Sequence, residues 1–250
     1  MNVTVLAFDT IDSTNTEALN QARQGAEEGL CIVARQQTAG RGRHGRTWAS
    51  EKDAGLYFSI VLRPKISVEF LPLITLMAGI AVHDTLQELG LKPDIKWVND
   101  VLVNEKKIGG ILAETTETND GFAVVVGIGI NLKPSEQQPE TATSIDECRG
   151  LTVREGSEDR NGLVDSLIRF LTYFYDILNS DPSQIIDEWR RRSTYFSGMA
   201  VKVTLHDETM NGTTDGLQPN GALRLMKADG TVTIIQAGDV ERLRADPQVC

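Results

Sequence analysis

Cysteine is scarce in this chain: there are three in 250 residues, Cys31, Cys148 and Cys250, far apart and odd in number. They suggest neither a disulfide framework nor a CxxC metal site, and such usage fits a reducing compartment. Histidine is equally rare, at three residues. His83 has no second ligand three or four positions away, so it reads as structure and no metal site is predicted. Positive charge is in deficit, with 35 acidic against 25 basic residues and a formal net charge of -10. That argues against a general binder of nucleic acid or anionic membranes, because counterion release needs many cations on one face. The N-terminus carries Asp9 and Asp12 and lacks a basic segment followed by an apolar core, so no signal peptide is read. The longest apolar stretch, Phe70 to Val82, is read as too short to span a bilayer and contains Pro72. A cytoplasmic protein is expected, with no DNA and no membrane among its partners.

What remains is an ordinary globular composition, 40% apolar and 24% charged. The length suits one large domain, or a medium domain plus a small one. Against the acidic background stands Gln37-Thr38-Ala39-Gly40-Arg41-Gly42-Arg43-His44-Gly45-Arg46-Thr47-Trp48. It joins two apolar runs, Leu30–Ala34 and Leu56–Leu62, as a long loop between strands. Glycines allow close backbone approach and positive φ, and arginines offer planar cationic forks for carboxylate or phosphate. The stretch reads either as a solvated basic loop or as the seat of a small anionic ligand.

The remaining pattern is mixed. Val3–Phe8 reads as a strand, and Thr14 with Glu17 three residues on as a capping box opening a helix. Leu56–Leu62 reads as a buried central strand, and Val68–Leu89 as a mostly buried helix. Apolar segments flank the Asn104-Glu105-Lys106 turn, predicting a hairpin. Phe122–Asn131 reads as a strand whose Gly127 and Gly129 mark either a twisted strand end or a ligand wall. Residues 133–156 read as loop with at most short helical turns, and two helices follow, Gly162–Asn179 and Ser183–Tyr195. Phe170, Tyr173, Phe174 and Ile177 form an aromatic stripe read as core. From Gly198 on, four short segments separated by Gly, Asn and Asp turns predict a small β-barrel after a boundary near Phe196.

Five stretches, in order, now carry a resemblance: Asp12-Ser13-Thr14-Asn15, the arginine loop, Lys96-Trp97-Val98-Asn99-Asp100, Lys107-Ile108-Gly109-Gly110-Ile111-Leu112 and Gly127-Ile128-Gly129-Ile130-Asn131. Over nearly the whole chain the sequence resembles the biotin protein ligases, which attach biotin to the carrier domain of biotin-dependent carboxylases. The resemblance implies an α+β fold: a mixed, largely antiparallel sheet packed with helices, of the class II aminoacyl-tRNA synthetase-like type. A catalytic domain over 1–196 and a small SH3-like barrel over 197–250 are expected.

The same resemblance implies the chemistry. Biotin and ATP give biotinyl-5'-AMP and pyrophosphate, and the acyl group then passes to a lysine of a biotin carboxyl carrier protein domain. An anionic carboxylate must approach a triphosphate, and like charges about 4 Å apart repel by roughly 4 kcal/mol at an effective dielectric near 20. Arg41, Arg43 and Lys107 are the expected clamp, with magnesium carrying part of the phosphate charge. Ser13, Thr14 and Gln37 would bond the polar ring of biotin, Gly110 would line its pocket, and Trp48 and Asn131 would lie on the nucleotide side. Asn15, Gly40, Gly42 and Asn99 are placed at the same ligand site. Without the other motifs, Lys107 would read as an ordinary hairpin lysine. Asp100 would orient the acceptor ammonium and take its proton, or else organise its loop through hydrogen bonds. The catalytic set is thus Arg41, Lys107 and Asp100.

Two positions depart from the family pattern. Val98 stands where proline is usual, predicting a less rigid approach to Asn99 and Asp100. His44 replaces a basic residue, and its reference pKa near 6.5 would make the loop charge vary with pH. Some relatives carry an N-terminal helix-turn-helix, but here the first motif begins almost at the start of the chain, so a ligase without repressor function is expected. A lipoate ligase or transferase is the enzymatic rival; the arginine loop speaks for biotin, and none of the cysteines falls in a motif. A non-catalytic adaptor would leave the polar motifs without a purpose. Sequence leaves monomer and homodimer both open.

Overall fold

The computed structural model describes residues 1–119, 121–150, 160–205 and 208–243. The chain opens with β1 (Thr4–Ile11), α1 (Thr14–Arg23), β2 (Leu30–Gln37), β3 (Gly55–Leu62) and α2 (Leu73–Glu88). Four strands follow: β4 (Pro93–Lys96), β5 (Asp100–Val103), β6 (Lys106–Thr118) and β7 (Gly121–Asn131). Then come α3 (Ile145–Arg149), α4 (Arg160–Ser180) and α5 (Ser183–Arg192). The last group is β8 (Ser197–Leu205), β9 (Glu208–Leu217), β10 (Leu223–Met226), β11 (Val232–Ile235) and β12 (Asp239–Arg242).

Seven strands form one sheet in the order β1-β2-β3-β7-β6-β5-β4, parallel only between β1 and β2. Successive strand residues face opposite sides, and the two sides carry separate cores. Val33, Phe58, Ile60, Val124 and Val126 join the large core of α2, α4 and α5; Ile32, Val61, Ala123 and Val125 pack with Ala18, Leu19 and Ala22 of α1. Burial of both faces explains why β3 reads as a near-continuous apolar run, broken only by Ser59, since all eight of its residues are buried. The mixed, largely antiparallel sheet packed with helices is as expected.

Several local expectations need correction. Ser13, not Thr14, caps α1: its side chain accepts from the Thr16 N–H, and Glu17 is bonded to Gln21 rather than back to the cap. Of the aromatic stripe, Phe174 is buried and Phe170 and Ile177 pack against the core, but Tyr173 is exposed; Tyr175, outside the stripe, is buried instead and donates to Glu28. The segment Val68–Glu88 is, by length and composition, long and apolar enough to cross a membrane. Length therefore did not dispose of that reading. Most of the segment is packed inside the protein, where α2 lies against α4, α5 and β6.

The C-terminal strands make a five-stranded antiparallel sheet, β11-β10-β9-β8-β12. This agrees with an SH3-like unit, but among the described residues no β11–β12 pairing closes a barrel. β12 was missing from the sequence reading; its alternation is short, and it is recognisable only through its pairing with β8. The expected boundary falls at the start of β8, yet Val201, Val203, Leu223 and Leu225 belong to the same buried cluster as α2. Trp97 Nε1 donates to Gly221 O at 2.9 Å, adding a polar tie between the two sheets.

Candidate active site

The five motif stretches meet on one face of the seven-stranded sheet, beside the start of α1. The end of β1 and the Ser13 cap bring Ser13, Thr14 and Asn15 into the sheet surface, where each is at most 4% exposed. Buried polar groups need partners, and these have them. Gln37 Oε1 accepts from Thr14 N at 2.8 Å and Thr14 Oγ1 at 3.1 Å, while Gln37 Nε2 donates to Ser50 Oγ at 2.8 Å. Ser59 Oγ lies 2.8 Å from Thr14 Oγ1 and 2.6 Å from Asn15 Oδ1. Asn15 Nδ2 donates to Glu114 Oε2 at 2.9 Å. The polar end of the cleft is thus a connected network in which Thr14, Asn15 and Gln37 border the open space, with Ser50, Ser59 and Glu114 holding them from behind.

Glycines make room for this arrangement. A Cβ on Gly127 would lie 2.0 Å from Asn15 Oδ1, and one on Gly129 would lie 2.4 Å from Trp48 Cε2. β7 pairs in continuous register with both β3 and β6, so these glycines mark close approach rather than a bulge. Gly110 on β6 completes the bed, with Trp48 and Lys107 both about 3 Å from where its Cβ would stand. Trp48 therefore lies against a bare patch of sheet. Its Nε1 is buried without a hydrogen-bond partner.

The arginine loop folds back over the cleft. Arg41 bridges Thr47, Gly42 N donates to Arg46 O at 2.7 Å, and Trp48 N donates to Gly40 O at 3.0 Å. His44 sits at the turn with φ 55°, in the left-handed region. The three arginines diverge from this small hairpin. Arg41 pairs with Glu114 at 2.6 Å, Arg43 Nη1 donates to Asn99 Oδ1 at 2.9 Å, and Arg46 pairs with Asp239 of β12. Burial lowers the pKa of Arg43 against the pull of Asp239 and Asp100.

Opposite the loop, Asp100 begins β5 and is held by two ammonium groups, Lys107 at 2.6 Å and Lys96 at 2.9 Å. Burial pushes its carboxyl up, but attraction and hydrogen bonds from Lys107 and Lys96 outweigh this and leave its pKa lowered. Lys107 Nζ lies 5.4 Å from the centre of the Trp48 ring. The Trp97–Val98 peptide is cis. Where a proline was missed, Asn99 secures the turn: it accepts from Ile111 N at 2.9 Å, and its Nδ2 donates to Ile111 O at 3.1 Å.

Ser13, Thr14, Asn15, Gln37, Arg41, Gly42, Arg43, Trp48, Asn99, Asp100, Lys107 and Gly110 all border this single cleft. Two residues expected at the ligand do not. Gly40 is buried beneath the loop, where a Cβ would strike Ser50 Oγ and Trp48 O. Asn131 does not line the cleft: it donates to Thr143 O at 2.9 Å, and so supports the segment that pairs with Lys107. Sequence reading overlooked Glu114, Ser59 and Asp239. A lone carboxylate or serine carries no local signal, and these act only through partners distant in sequence. Among the described residues no cluster of three or more His, Cys, Asp or Glu side chains could hold a metal ion.

Residues 7–131 match the model of the biotin/lipoate A/B protein ligase family. The chain is 33% identical to the bifunctional ligase/repressor BirA of Bacillus subtilis, across 95% of this chain and 73% of that protein. It is 35% identical to the biotin acetyl-CoA-carboxylase ligase of Mycobacterium tuberculosis, across 93% of this chain and 86% of the relative. In structure it resembles the biotin protein ligase of Aquifex aeolicus solved with biotin and ATP, with a TM-score of 0.79, 28% identity, and coverage of 97% and 99% of the two chains. The chain belongs to the biotin/lipoate A/B protein ligase family, as an enzyme of the biotin protein ligase type.

Proposed function

We propose that this cleft activates biotin with ATP and then passes the biotinyl group to a lysine of a biotin carboxyl carrier domain. The observation that carries the reading is the placing of four cations, Arg41, Arg43, Arg46 and Lys107, beside Ser13 and the Thr14–Asn15–Gln37 network in one cleft of an acidic protein. The polar network suits a neutral hydrogen-bonding head group, and the cations suit the carboxylate and phosphates at its other end.

In the first step a biotin carboxylate oxygen attacks the α-phosphorus of ATP, and the bond to the β-phosphate oxygen breaks as pyrophosphate leaves. Arg41 and Lys107 hold the two anions together, and Arg43 stands on the nucleotide side. Such preorganised donors act most strongly where water is excluded. Magnesium comes as the ATP complex, its charge shared by phosphate oxygens. The unpartnered Trp48 Nε1 offers a buried donor on the nucleotide side.

In the second step the acceptor amine attacks the acyl carbon, the acyl–phosphate bond breaks, and AMP leaves. With a reference pKa of about 10.4, roughly one lysine amine in a few thousand is neutral at pH 7. Asp100 attracts the ammonium and takes its proton as the amide forms.

The test is incubation with biotin, magnesium-ATP and a carrier domain of acetyl-CoA carboxylase. The reading expects one biotinyl group on one carrier lysine, with AMP and pyrophosphate released. Adenylate formation with no transfer to that domain would remove the carrier assignment.

A further inference from the structure

Asp100 borders two cavities, and only one of its two lysines borders both. Asp100 and Lys107 line both the ligand cleft and a second cleft between the β4–β5 hairpin and β12, whereas Lys96 lines only the second. Each carboxylate oxygen has its own ammonium: Lys107 binds Oδ1 and Lys96 binds Oδ2. Lys96 faces Asp100 directly across the β4–β5 ladder, fixed by the strand register. Lys107 is the more committed to the ligand side, its stem crossing Gly110 next to the Trp48 ring.

We propose that Lys96 is a positioning residue for acyl transfer, holding Asp100 as an oriented carboxylate from the second cleft when Lys107 engages the adenylate. This rests on the function proposed above. There Lys107 bonds an acyl oxygen and a phosphate, so its hold on Asp100 weakens at the moment Asp100 must accept a proton. A carboxylate that loses its cation in a half-buried site drifts towards the protonated form, and a protonated Asp100 cannot serve the acceptor amine.

The other charges around Asp100 do not replace Lys96. Arg43, on the arginine loop, acts on Asp100 only at longer range and gives its hydrogen bond to Asn99. On the far side of the second cleft, Arg46 is paired with Asp239, Arg242 with Glu105, and Glu241 with Lys202. Each of those cations is thus held by a carboxylate of its own. Lys96 is thus the cation that stays beside Asp100 whichever way Lys107 points.

A simple hairpin-closing ion pair would share this geometry but would leave the pH dependence of transfer unmoved. The experiment uses the full chain, loaded with biotin and magnesium-ATP to form the adenylate, then mixed with a biotin carrier domain. Single-turnover transfer is followed from about pH 5.5 to 8.5 for wild type, Lys96→Met and Lys96→Arg. Wild type should show log rate rising with a slope of one, set by the acceptor amine. Lys96→Met should steepen towards a slope of two below neutrality, losing about tenfold more at the acid end than at the alkaline end. It should lose transfer more than adenylate formation, and Lys96→Arg should restore the single slope. A Lys96→Met profile parallel to wild type, or equal losses in both half-reactions, overturns the proposal. A wild type that makes no adenylate would instead overturn the function on which it rests.

Discussion

Arg41 Nη2 lies 2.6 Å from Glu114 Oε1, and the other oxygen of that carboxylate accepts from Asn15 at 2.9 Å. One side chain of β6 thereby ties the arginine loop to the start of α1, across the cleft that both border. The Arg41–Glu114 contact is part-exposed, and pairs of this kind contribute about 0.2 to 1 kcal/mol to stability. Its importance is therefore expected in the reaction rather than in the fold.

Arg41→Ala should reduce adenylate formation or retention by about a hundredfold, while chemical denaturation shifts by less than about 1 kcal/mol. An unchanged rate of pyrophosphate release would show that the loop has been misassigned.

Asp100→Ala should leave the adenylate able to form while slowing its transfer to the carrier by about a hundredfold, the usual range for a lost general base. Quenched-flow measurement of each half-reaction separates the two. The converse pattern would move Asp100 from transfer to activation.

Gly129→Ala places a methyl group 2.4 Å from the Trp48 ring. Overpacking of this kind costs about 1 to 3 kcal/mol, and here the loop can move away to relieve it. The expected result is a displaced Trp48, seen as a change in tryptophan emission, with ATP binding weakened more than folding. Native emission with normal ATP affinity would contradict the packing described.

Asp84 on α2 is gripped by Arg192 of α5 through two bonds, at 2.6 and 2.8 Å, and by His83 Nδ1 at 2.9 Å. Burial raises its pKa, but the His83 and Arg192 bonds more than offset this, and the net shift is downward. A carboxyl with a depressed folded pKa contributes stability above its unfolded value, near 3.9, which is lost as pH falls through the folded value. Asp84→Asn should destabilise the protein by about 3 kcal/mol at pH 7, and by much less at about pH 3. Urea titrations at the two pH values check the difference, and equal losses would rule out the charge as the cause.

Local chemistry made much of this molecule legible. The apolar runs at Leu30 and Leu56 and the buried helix before Asp94 were readable because burial on both sides of a sheet leaves continuous hydrophobic stretches. The glycine and arginine motifs announced a site because few other roles need glycines and cations at such spacing. Partnerships across the fold were not legible. Glu114 meets Arg41 from 73 residues away, and nothing near it in sequence distinguishes it from Glu117. Asn131 was read into the nucleotide site because it ends a motif, and alternation does keep it on the face of Gly127 and Gly129, but its amide is taken up by Thr143 O, from a segment outside the strand and invisible in the local pattern. Tyr173 fits the spacing of the aromatic stripe yet is exposed, whereas Tyr175, off that stripe, is drawn inward by Glu28 from a distant part of the chain.

The central claim is that the cations of this cleft join a carboxylate to AMP and that the polar network beside Gln37 selects biotin. The most direct measurement incubates the full chain with magnesium-ATP and either biotin or lipoate, following pyrophosphate release and the acyl-adenylate by mass spectrometry. Biotinyl-adenylate with biotin, and no lipoyl-adenylate at equal concentration, is the result expected. Lipoyl-adenylate alone, or no adenylate from either acid, would contradict it.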